Sequence, residues 1–393
     1  MNKNKKQLKK NKKRHLSVFL AVIGIIFIIA YPCYYFLNVQ GFINKSYFST
    51  GLTSEKNANK IIENKKPISI LILGTDIGTG EGFGANRNRV GLTDSLMLAI
   101  INPKKKTTTL ISVPRDIMTS IVGFENSFPQ KLNAAYAFKE ASDNKTSLGE
   151  GVGTTMQTIE KMFNIPIDYF AMVNMSGLGD VVNQIGGVSV KSPLTFLFSQ
   201  DTAHDYGKNL YRFNQGSTTF QYAADGINFK TYQKMNGVAA LAFSRMRYQD
   251  PKGDYGRTER QRLLLEQIVK KVKQKPSLVF NLKFINSSTK NVATDLKTDN
   301  LISLANNYIS ATKNIKSYTV QGEPEIYNGV SYQRVTTAQR QAVTNEVRKD
   351  LNLKKEKTGS EFGSGISQTE LYQVGTADFL YPDDDTENNS KLN

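Results

Sequence analysis

An uncharged apolar run near the amino terminus limits what this chain can be. Residues 16–37 read LSVFLAVIGIIFIIAYPCYYFL and contain no charged side chain. As a helix, this run would be about 33 Å long, enough to cross a hydrocarbon core of roughly 30 Å. It is longer than the apolar part of a cleaved signal peptide, and no small-residue cleavage site follows it. The run therefore predicts one transmembrane helix over residues 16–37, with a buried core helix as the alternative.

The charges on either side of this run predict its orientation. Residues 1–15 carry eight Lys and Arg residues and no acid, whereas Lys45 is the only charge in the first stretch after the run. The positive-inside rule then makes residues 1–15 a basic cytoplasmic tail and places the rest of the chain outside the cell membrane. The net charge of +17 would suit nucleic acid. However, fifteen residues are too few for a DNA-reading module and the folded part faces outward, so we expect no nucleic acid partner.

The chain beyond the span divides into three parts by composition. Residues 38–66 are polar and rich in Asn and Lys, which predicts an extracellular stalk. Residues 67–353 contain the apolar runs and helical patterns of one folded domain. Residues 354–393 turn to Gly, Ser, Asp and Asn, which predicts a disordered tail. Since Cys33 is the sole cysteine and only two histidines are present, composition excludes an intrachain disulfide, a Cys/His zinc site and a Cys/His catalytic dyad.

Short apolar runs rich in β-branched residues predict a sheet. Three of them lie at 68–73, 95–101 and 107–113, and the turn-forming residues 102–106 make the last two an antiparallel hairpin. Further strands are predicted at 169–173, 188–190, 239–248 and 316–321, and helices at about 131–141, 149–163, 258–273, 299–312 and 337–350. Residues 195–235 show no assignable pattern. Because strands and helices mix without strict alternation, we expect an α/β fold with a mixed, mainly antiparallel central sheet flanked by helices.

Charged residues lie at the ends of the first three predicted strands. Asp76 follows the first strand, Asp94 precedes the second, and Arg115 follows the third. In an antiparallel meander these three positions fall at one edge of the sheet. Two carboxylates without nitrogen or sulfur ligands suit a hard cation such as Mg²⁺, which often shares its shell with phosphate oxygens. Taken alone, both aspartates equally fit turn-forming or strand-capping roles.

A second group of polar residues lies in the stretch FSRMRYQDPKGDYGRTERQR, residues 243–262. Arg245 and Arg247 are two apart on a predicted strand and would share a face, and Arg257 and Gln261 are four apart at the start of a predicted helix. Guanidinium groups beside a helix amino terminus suit an anion with several charges, such as a diphosphate. A solvated basic surface is the alternative, although unpaired charge within an apolar strand would be costly.

Several stretches resemble, in order, the LytR-CpsA-Psr family of cell-wall glycopolymer ligases. They are LILGTD (71–76), RVGLTDSLMLAIINP (89–103), SVPRD (112–116), KLNAAYA (131–137), IPIDYFAMVNMSGLGDVVNQIGGVSV (165–190), MNGVAALAFSRMRY (235–248), DYGRTERQR (254–262) and QGEPEIYNGVSYQRV (321–335). The resemblance covers roughly residues 66–353, and a single amino-terminal span with the domain outside also fits it.

The resemblance implies a Mg²⁺- or Mn²⁺-dependent phosphotransferase. Such an enzyme moves teichoic acid, capsule or a related polysaccharide from an undecaprenyl-diphosphate carrier to peptidoglycan, and leaves a phosphodiester link. By motif, the metal ligands are Asp76 and Asp94. The diphosphate ligands are Arg89, Arg115, Arg245, Arg247, Arg257 and Gln261, and the catalytic residues are Arg115, Arg245, Arg247 and Arg257. The chain departs from the family in having Leu92-Thr93 before Asp94, where an Arg-Ser pair is common.

Several points remain open from the sequence. The same pocket suits a hydrolase that releases phosphorylated sugar, and a membrane-anchored scaffold could hold a glycolipid without turnover. Either Asp116 or Asp254 fits the role of general base. The resemblance also implies an apolar tunnel for the lipid, which we expect near Phe170, Met172 and the 263–272 helix face, where core packing explains the same residues.

Overall fold

A computed structural model of the chain describes residues 47–52, 60–75, 91–142, 148–274, 291–360 and 362. The predicted transmembrane span, Asp76 and Arg89 lie outside the described residues. Within the described part, none of the helices combines the length and apolar character that crossing a bilayer requires.

The described chain contains strands and helices in mixed order. The strands are β1 (Ile68–Thr75), β2 (Thr93–Asn102), β3 (Thr107–Val113), β4 (Met118–Thr119), β5 (Gln130–Lys131), β6 (Tyr169–Asn174), β7 (Phe196–Ser199), β8 (Leu210–Phe213), β9 (Phe220–Ala223), β10 (Lys230–Tyr232), β11 (Val292–Thr294), β12 (Asn314–Thr319), β13 (Glu323–Tyr327) and β14 (Val330–Arg334). The α-helices are α1 (Ala135–Ser142), α2 (Leu148–Phe163), α3 (Met175–Gln184), α4 (Gly237–Arg245), α5 (Asp254–Gln274), α6 (Thr298–Asn307) and α7 (Thr337–Asp350).

A six-stranded sheet in the order β11-β6-β1-β2-β3-β12 forms the centre of the fold. Strands β1, β2 and β3 are the predicted antiparallel meander, with Leu96 opposite Val113 at the end that carries the site. The outer strands β6 and β12 run parallel to β1 and β3, and β11 is antiparallel to β6. The predicted mixed, mainly antiparallel sheet flanked by helices is therefore confirmed.

Successive strand residues point to opposite sides of a sheet, and here the residues on both sides are apolar. Helices therefore cover both faces. Leu71 and Leu73 of β1 lie on the face packed by α1, α2 and α7. Ile68 and Ile70 of the same strand lie on the other face, against a cluster that includes Tyr308 and residues of α6. Strands buried on both faces read as continuous apolar runs, which is why the sequence identified them.

The segment without an assignable pattern, residues 195–235, forms a separate antiparallel meander in the order β10-β9-β8-β7. Its apolar face, with Phe196, Phe213 and Phe220, packs in a second core against α3, α4 and α5. Leu264 and Ile268 of α5 belong to this second core, whereas Phe170 and Met172 belong to the core under α2. The residues suggested for a lipid tunnel are thus buried in two different cores.

Two strand predictions are wrong. Residues 239–248 were expected to be a strand, but residues 237–245 form helix α4, which begins after Asn236. The Asn236 side chain caps the helix by accepting a hydrogen bond from the amide of Ala239, and the alanine-rich run that follows favours a helix. The predicted strand 188–190 is reduced to one bridge between Val188 and Met235.

Residues on both sides of the predicted domain, 67–353, pack against its core. Ile62, in the predicted stalk, is buried in the core beside α6, and the main-chain carbonyl of Lys66 accepts a hydrogen bond from Tyr308. After the predicted start of the tail, Phe362 is fully buried, and its carbonyl accepts a hydrogen bond from the amide of Ser120. Residues before position 67 and after position 353 therefore contribute to the packed structure as well. Residues 363–393 lie outside the described residues.

Candidate active site

The start of β2, the end of β3 and the first turn of α5 bring charged residues together. Nη1 of Arg115, two residues after β3, lies 2.7 Å from Oδ1 of Asp94 in β2. From α5, Nη2 of Arg257 lies 3.3 Å from the main-chain oxygen of Asp94 and 2.5 Å from Oδ1 of Asp254. The meander thus places Asp94 and Arg115 at one edge, as predicted, and α5 adds Arg257 to them.

Arg115 is almost completely buried and surrounded by carboxylates. Its Nε lies 3.7 Å from Oδ2 of Asp116 and 3.7 Å from Oδ1 of Asp254. Burial by itself would lower the pKa of this guanidinium, but the three nearby carboxylates outweigh burial, so the pKa of Arg115 is raised. Arg115 therefore holds a fixed positive charge at the edge of the sheet.

Arg257 has a different electrostatic environment from Arg115. The pKa of Arg257 is lowered, mainly by burial and then by the positive charge of Arg115; Asp254 and Asp94 offset this only in part. Arg247 adds a smaller repulsive contribution. Since a guanidinium stays protonated in proteins, Arg257 is a buried cation, and its ion-pair partner Asp254 also lies beside Arg115.

Buried polar atoms without hydrogen-bond partners cluster around these arginines. Among the described residues, they include Nε of Arg115, Nε of Arg257 and Oε1 of Gln261. Buried polar atoms are nearly always paired in native proteins, so unpaired ones call for an explanation such as a ligand or water. The two guanidinium Nε donors favour an anionic ligand at this edge of the sheet, whereas the Gln261 oxygen would accept from a donor group or from water.

Arg245 and Arg247 lie in local structure that differs from the predicted strand, and Arg247 acts on the site through its charge. Arg245 is the last residue of α4, and Arg247 lies in the loop that follows, so the two do not share one face of a strand. Both side chains are half-buried. A cation at a helix carboxyl terminus is favourable, which suits Arg245, and the charge of Arg247 acts on Arg257.

A further arginine, which sequence reasoning missed, fixes this loop to α5. Arg260 is fully buried, and its guanidinium donates hydrogen bonds to the main-chain oxygens of Phe243 and Met246, which flank Arg245. It also forms an ion pair with Asp250. Arg260 lies four residues before Leu264 and therefore on the same, buried face of α5. A charged residue at a core position of the helix pattern is the sequence signal that could have identified it.

Glycine at position 256 allows α5 to approach this ion pair closely. A Cβ atom at Gly256 would lie 1.9 Å from Oδ2 of Asp250. Any side chain there would displace the carboxylate that pairs with Arg260. In the sequence Asp-Tyr-Gly-Arg, residues 254–257, Arg257 is a candidate phosphate ligand. Gly256 leaves the space that the Asp250–Arg260 ion pair requires.

A cavity of about 320 Å³ lies beside these carboxylates. Its wall includes Asp116 and Asp254, the two candidates for general base, together with Tyr255 and Gln333. The Tyr255 hydroxyl donates to Oε1 of Gln333 and accepts from the amide of Gly322, so the wall is held in place. Both carboxylates therefore face this cavity from a fixed wall.

The predicted metal site is described only in part. Asp94 lies at the expected edge, and Arg115 engages one of its two carboxylate oxygens. Thr75, the residue before Asp76, pairs with Thr93, the residue before Asp94. Among the described residues there is no group of three or more His, Cys, Asp or Glu side chains that could hold a metal ion. Asp94 keeps one carboxylate oxygen that Arg115 does not engage, which suits a hard cation. Since Asp76 lies outside the described residues, the two-aspartate metal site stays a prediction.

The chain resembles known proteins over most of its length. The model of the LytR_cpsA_psr family matches residues 34–349. The polyisoprenyl-teichoic acid–peptidoglycan teichoic acid transferase TagU of Enterococcus faecalis (strain ATCC 700802 / V583) is 34% identical over 346 residues, covering 86% of this chain and 98% of the relative. The crystal structure of protein gbs0355 from Streptococcus agalactiae has a TM-score of 0.63 and 32% identity, covering 80% of this chain and 97% of that one. TagT bound to LIIa-WTA has a TM-score of 0.52 and 25% identity, covering 74% and 92%.

Proposed function

The chain belongs to the LytR-CpsA-Psr family, and on that basis we propose that it transfers a glycopolymer such as teichoic acid from a polyprenyl-diphosphate carrier to peptidoglycan. The observation that carries this proposal is the buried arginine pair of Arg115 and Arg257. Their guanidinium groups are held by carboxylates, yet each retains a buried Nε donor without a hydrogen-bond partner. Arg245, Arg247 and, by resemblance, Arg89 complete the diphosphate site.

The proposed reaction is a displacement at phosphorus. A peptidoglycan hydroxyl attacks the phosphorus nearer the sugar, a new oxygen–phosphorus bond forms, and undecaprenyl phosphate leaves with the electrons of the broken bond. Catalysis of this kind consists mainly of alignment and of stabilising the charge on the phosphoryl oxygens. Arg115, Arg247 and Arg257 supply that stabilisation. Either Asp116 or Asp254, on the cavity wall, accepts the proton of the hydroxyl.

The cofactor and the location belong to the same proposal. Asp76 and Asp94 would hold Mg²⁺ or Mn²⁺, since carboxylate oxygens suit hard cations. When bound, the cation would add positive charge at the phosphoryl oxygens. Residues 16–37 would anchor the chain in the cell membrane with its amino terminus in the cytoplasm, so that the catalytic domain faces peptidoglycan.

The test uses the full chain in detergent, a radiolabelled undecaprenyl-diphosphate glycan and purified peptidoglycan. We expect Arg257→Ala to abolish transfer and to weaken binding of undecaprenyl diphosphate, because it removes a buried cation from the diphosphate site. Arg334→Ala is the matched control, since Arg334 pairs with Glu323 on the β13–β14 hairpin. Transfer by Arg257→Ala at the wild-type rate would refute the proposal. Label recovered as free phosphorylated sugar would indicate a hydrolase, and binding without turnover would indicate a scaffold.

A further inference from the structure

Three stacked rings extend away from the proposed diphosphate site. The ring of Tyr248 stacks on that of His204 with centroids 5.2 Å apart, and His204 stacks on Tyr206 with centroids 5.5 Å apart and planes within 5°. At the inner end, the guanidinium carbon of Arg247 lies 5.9 Å from the centroid of Tyr248. These four side chains, Arg247, Tyr248, His204 and Tyr206, are called here the aromatic column.

The two tyrosines of the column are open to solvent. Tyr206 is 63% exposed and Tyr248 is 58% exposed, whereas His204 between them is half-buried. Exposing two large rings costs free energy unless a ligand covers them, and contiguous exposed aromatic surface often marks a binding site. The proposed reaction chemistry makes no use of either tyrosine.

The loop that carries His204 and Tyr206 is held by its own hydrogen bonds. The main-chain oxygen of His204 accepts from the amide of Ser199, at the end of β7. The Thr202 hydroxyl donates to the oxygen of Tyr206, and the Ser199 hydroxyl donates to the oxygen of Lys208. A platform fixed before the ligand arrives loses little conformational entropy on binding.

We propose that the aromatic column is the subsite for the first sugars of the lipid-linked donor; this inference rests on the proposed function. In such a donor, the first sugar is bonded to one phosphorus of the diphosphate. If the diphosphate contacts Arg247, the first sugars lie beside the side chains next to Arg247. Tyr248, the first ring of the column, is one of these side chains. The apolar C–H groups of a pyranose pack on aromatic rings, and its hydroxyl groups stay in water. Exposed tyrosines provide both environments.

A membrane surface is the competing occupant, because tyrosine is also common at the lipid interface. The observations favour a glycan. Stacking of two tyrosines on a histidine, next to a guanidinium, makes a rigid and polar-edged surface, whereas a segment that inserts into lipid presents Leu, Phe or Trp on an amphipathic face. The column is also continuous with a residue of the proposed diphosphate site.

The test compares two ligands that share one lipid diphosphate. Binding of undecaprenyl-diphosphate glycan and of undecaprenyl diphosphate without sugar is measured for the full chain in detergent. We expect Tyr206→Ala to weaken binding of the glycan-bearing lipid about three- to tenfold, the loss of one stacked ring, and to leave the sugar-free lipid unaffected. Tyr206→Phe keeps the ring and should restore most of this affinity. Tyr318→Ala, at an exposed tyrosine of β12, is the matched control and should change neither.

Each result decides for or against the column. Unchanged binding of both lipids by Tyr206→Ala overturns the proposal, and an equal loss for both lipids overturns it too, because the effect would not depend on the sugar. Weaker binding to vesicles of anionic phospholipid, without selectivity for the sugar, would assign the rings to the membrane instead. Failure of the proposed function is recognised separately, since Arg257→Ala would then leave binding of the sugar-free lipid intact.

Discussion

The buried ion pair between Arg260 and Asp250 provides a sharp test of how the site is held together. The Asp250→Asn substitution keeps the shape of the side chain and an oxygen that can still accept from the amide of Lys252, as Asp250 does at 2.9 Å. It removes the negative charge and replaces the oxygen that accepts from Arg260 with an NH₂ group, which cannot accept from a guanidinium. Arg260 is fully buried and its partner carboxylate is 6% exposed, so no solvent replaces that charge.

The expected cost follows from the surroundings of Arg260. Removing one partner of a buried pair destabilises proteins by about 3–5 kcal/mol, because the other charge stays buried without compensation. The main-chain oxygens of Phe243 and Met246 still accept hydrogen bonds from Arg260 and reduce this cost. We therefore expect the lower end, about 3 kcal/mol, which is roughly a hundredfold change in the folding equilibrium.

Thermal unfolding of the full chain in detergent, followed by circular dichroism, measures this effect. Glu259→Gln is the matched control. Glu259 is adjacent to Arg260 on α5, and it pairs with Lys252 at an exposed position. Loss of an exposed pair costs only about 0–1 kcal/mol. At temperatures where both variants are folded, Asp250→Asn should also bind undecaprenyl diphosphate more weakly, since the 243–250 segment carries Arg245 and Arg247. If Asp250→Asn destabilised the protein no more than Glu259→Gln, the assigned role of Arg260 would be wrong.

Two further predictions concern pH and metal. Burial raises the pKa of Glu160 above its ordinary value, although the amide of Ile167 donates to it, so its ionised form destabilises the fold at neutral pH. Glu160→Gln should therefore raise the thermal midpoint at pH 7. This gain should shrink as the pH falls and disappear below about 4.5, where the carboxyl group becomes protonated in the folded and unfolded states alike. Glu150→Gln, exposed on the same helix, should show no such trend. Chelation with EDTA should stop glycan transfer and added Mg²⁺ should restore it in the wild-type chain, whereas Asp94→Asn should need much more Mg²⁺. Full activity in EDTA would remove the cation from the proposal.

The parts of the fold that local pattern determines were predictable. Strands β1 to β3 are continuous apolar runs joined by recognisable turns, and their antiparallel order alone placed Asp94 beside Arg115. The parallel neighbours β6 and β12 were not predictable as neighbours, because pairing between distant segments leaves no periodic trace in either one. Residues 195–235 were unreadable because their strands have only three or four residues each.

The error at residues 239–248 has a physical cause. A short apolar run does not distinguish a buried strand from a buried helix by periodicity. The deciding signals were the cap at Asn236 and the alanines that follow, which outweigh the apolar character of Phe243. Arg247 still acts on Arg257, and Arg260 holds the segment that carries Arg247 against α5, a tertiary contact that sequence spacing does not reveal.

The alternation of guanidinium groups and carboxylates at this site bears on what it can bind. Arg115 lies between 2.7 and 3.7 Å from the carboxylates of Asp94, Asp116 and Asp254. A pocket lined by arginines alone would attract any polyanion, as would the net charge of +17 by itself. Carboxylates this close repel an anion unless a cation compensates them. Diphosphate and divalent cation should therefore strengthen each other's binding reciprocally, and selectivity would come from this paired arrangement of charge rather than from the excess of basic residues.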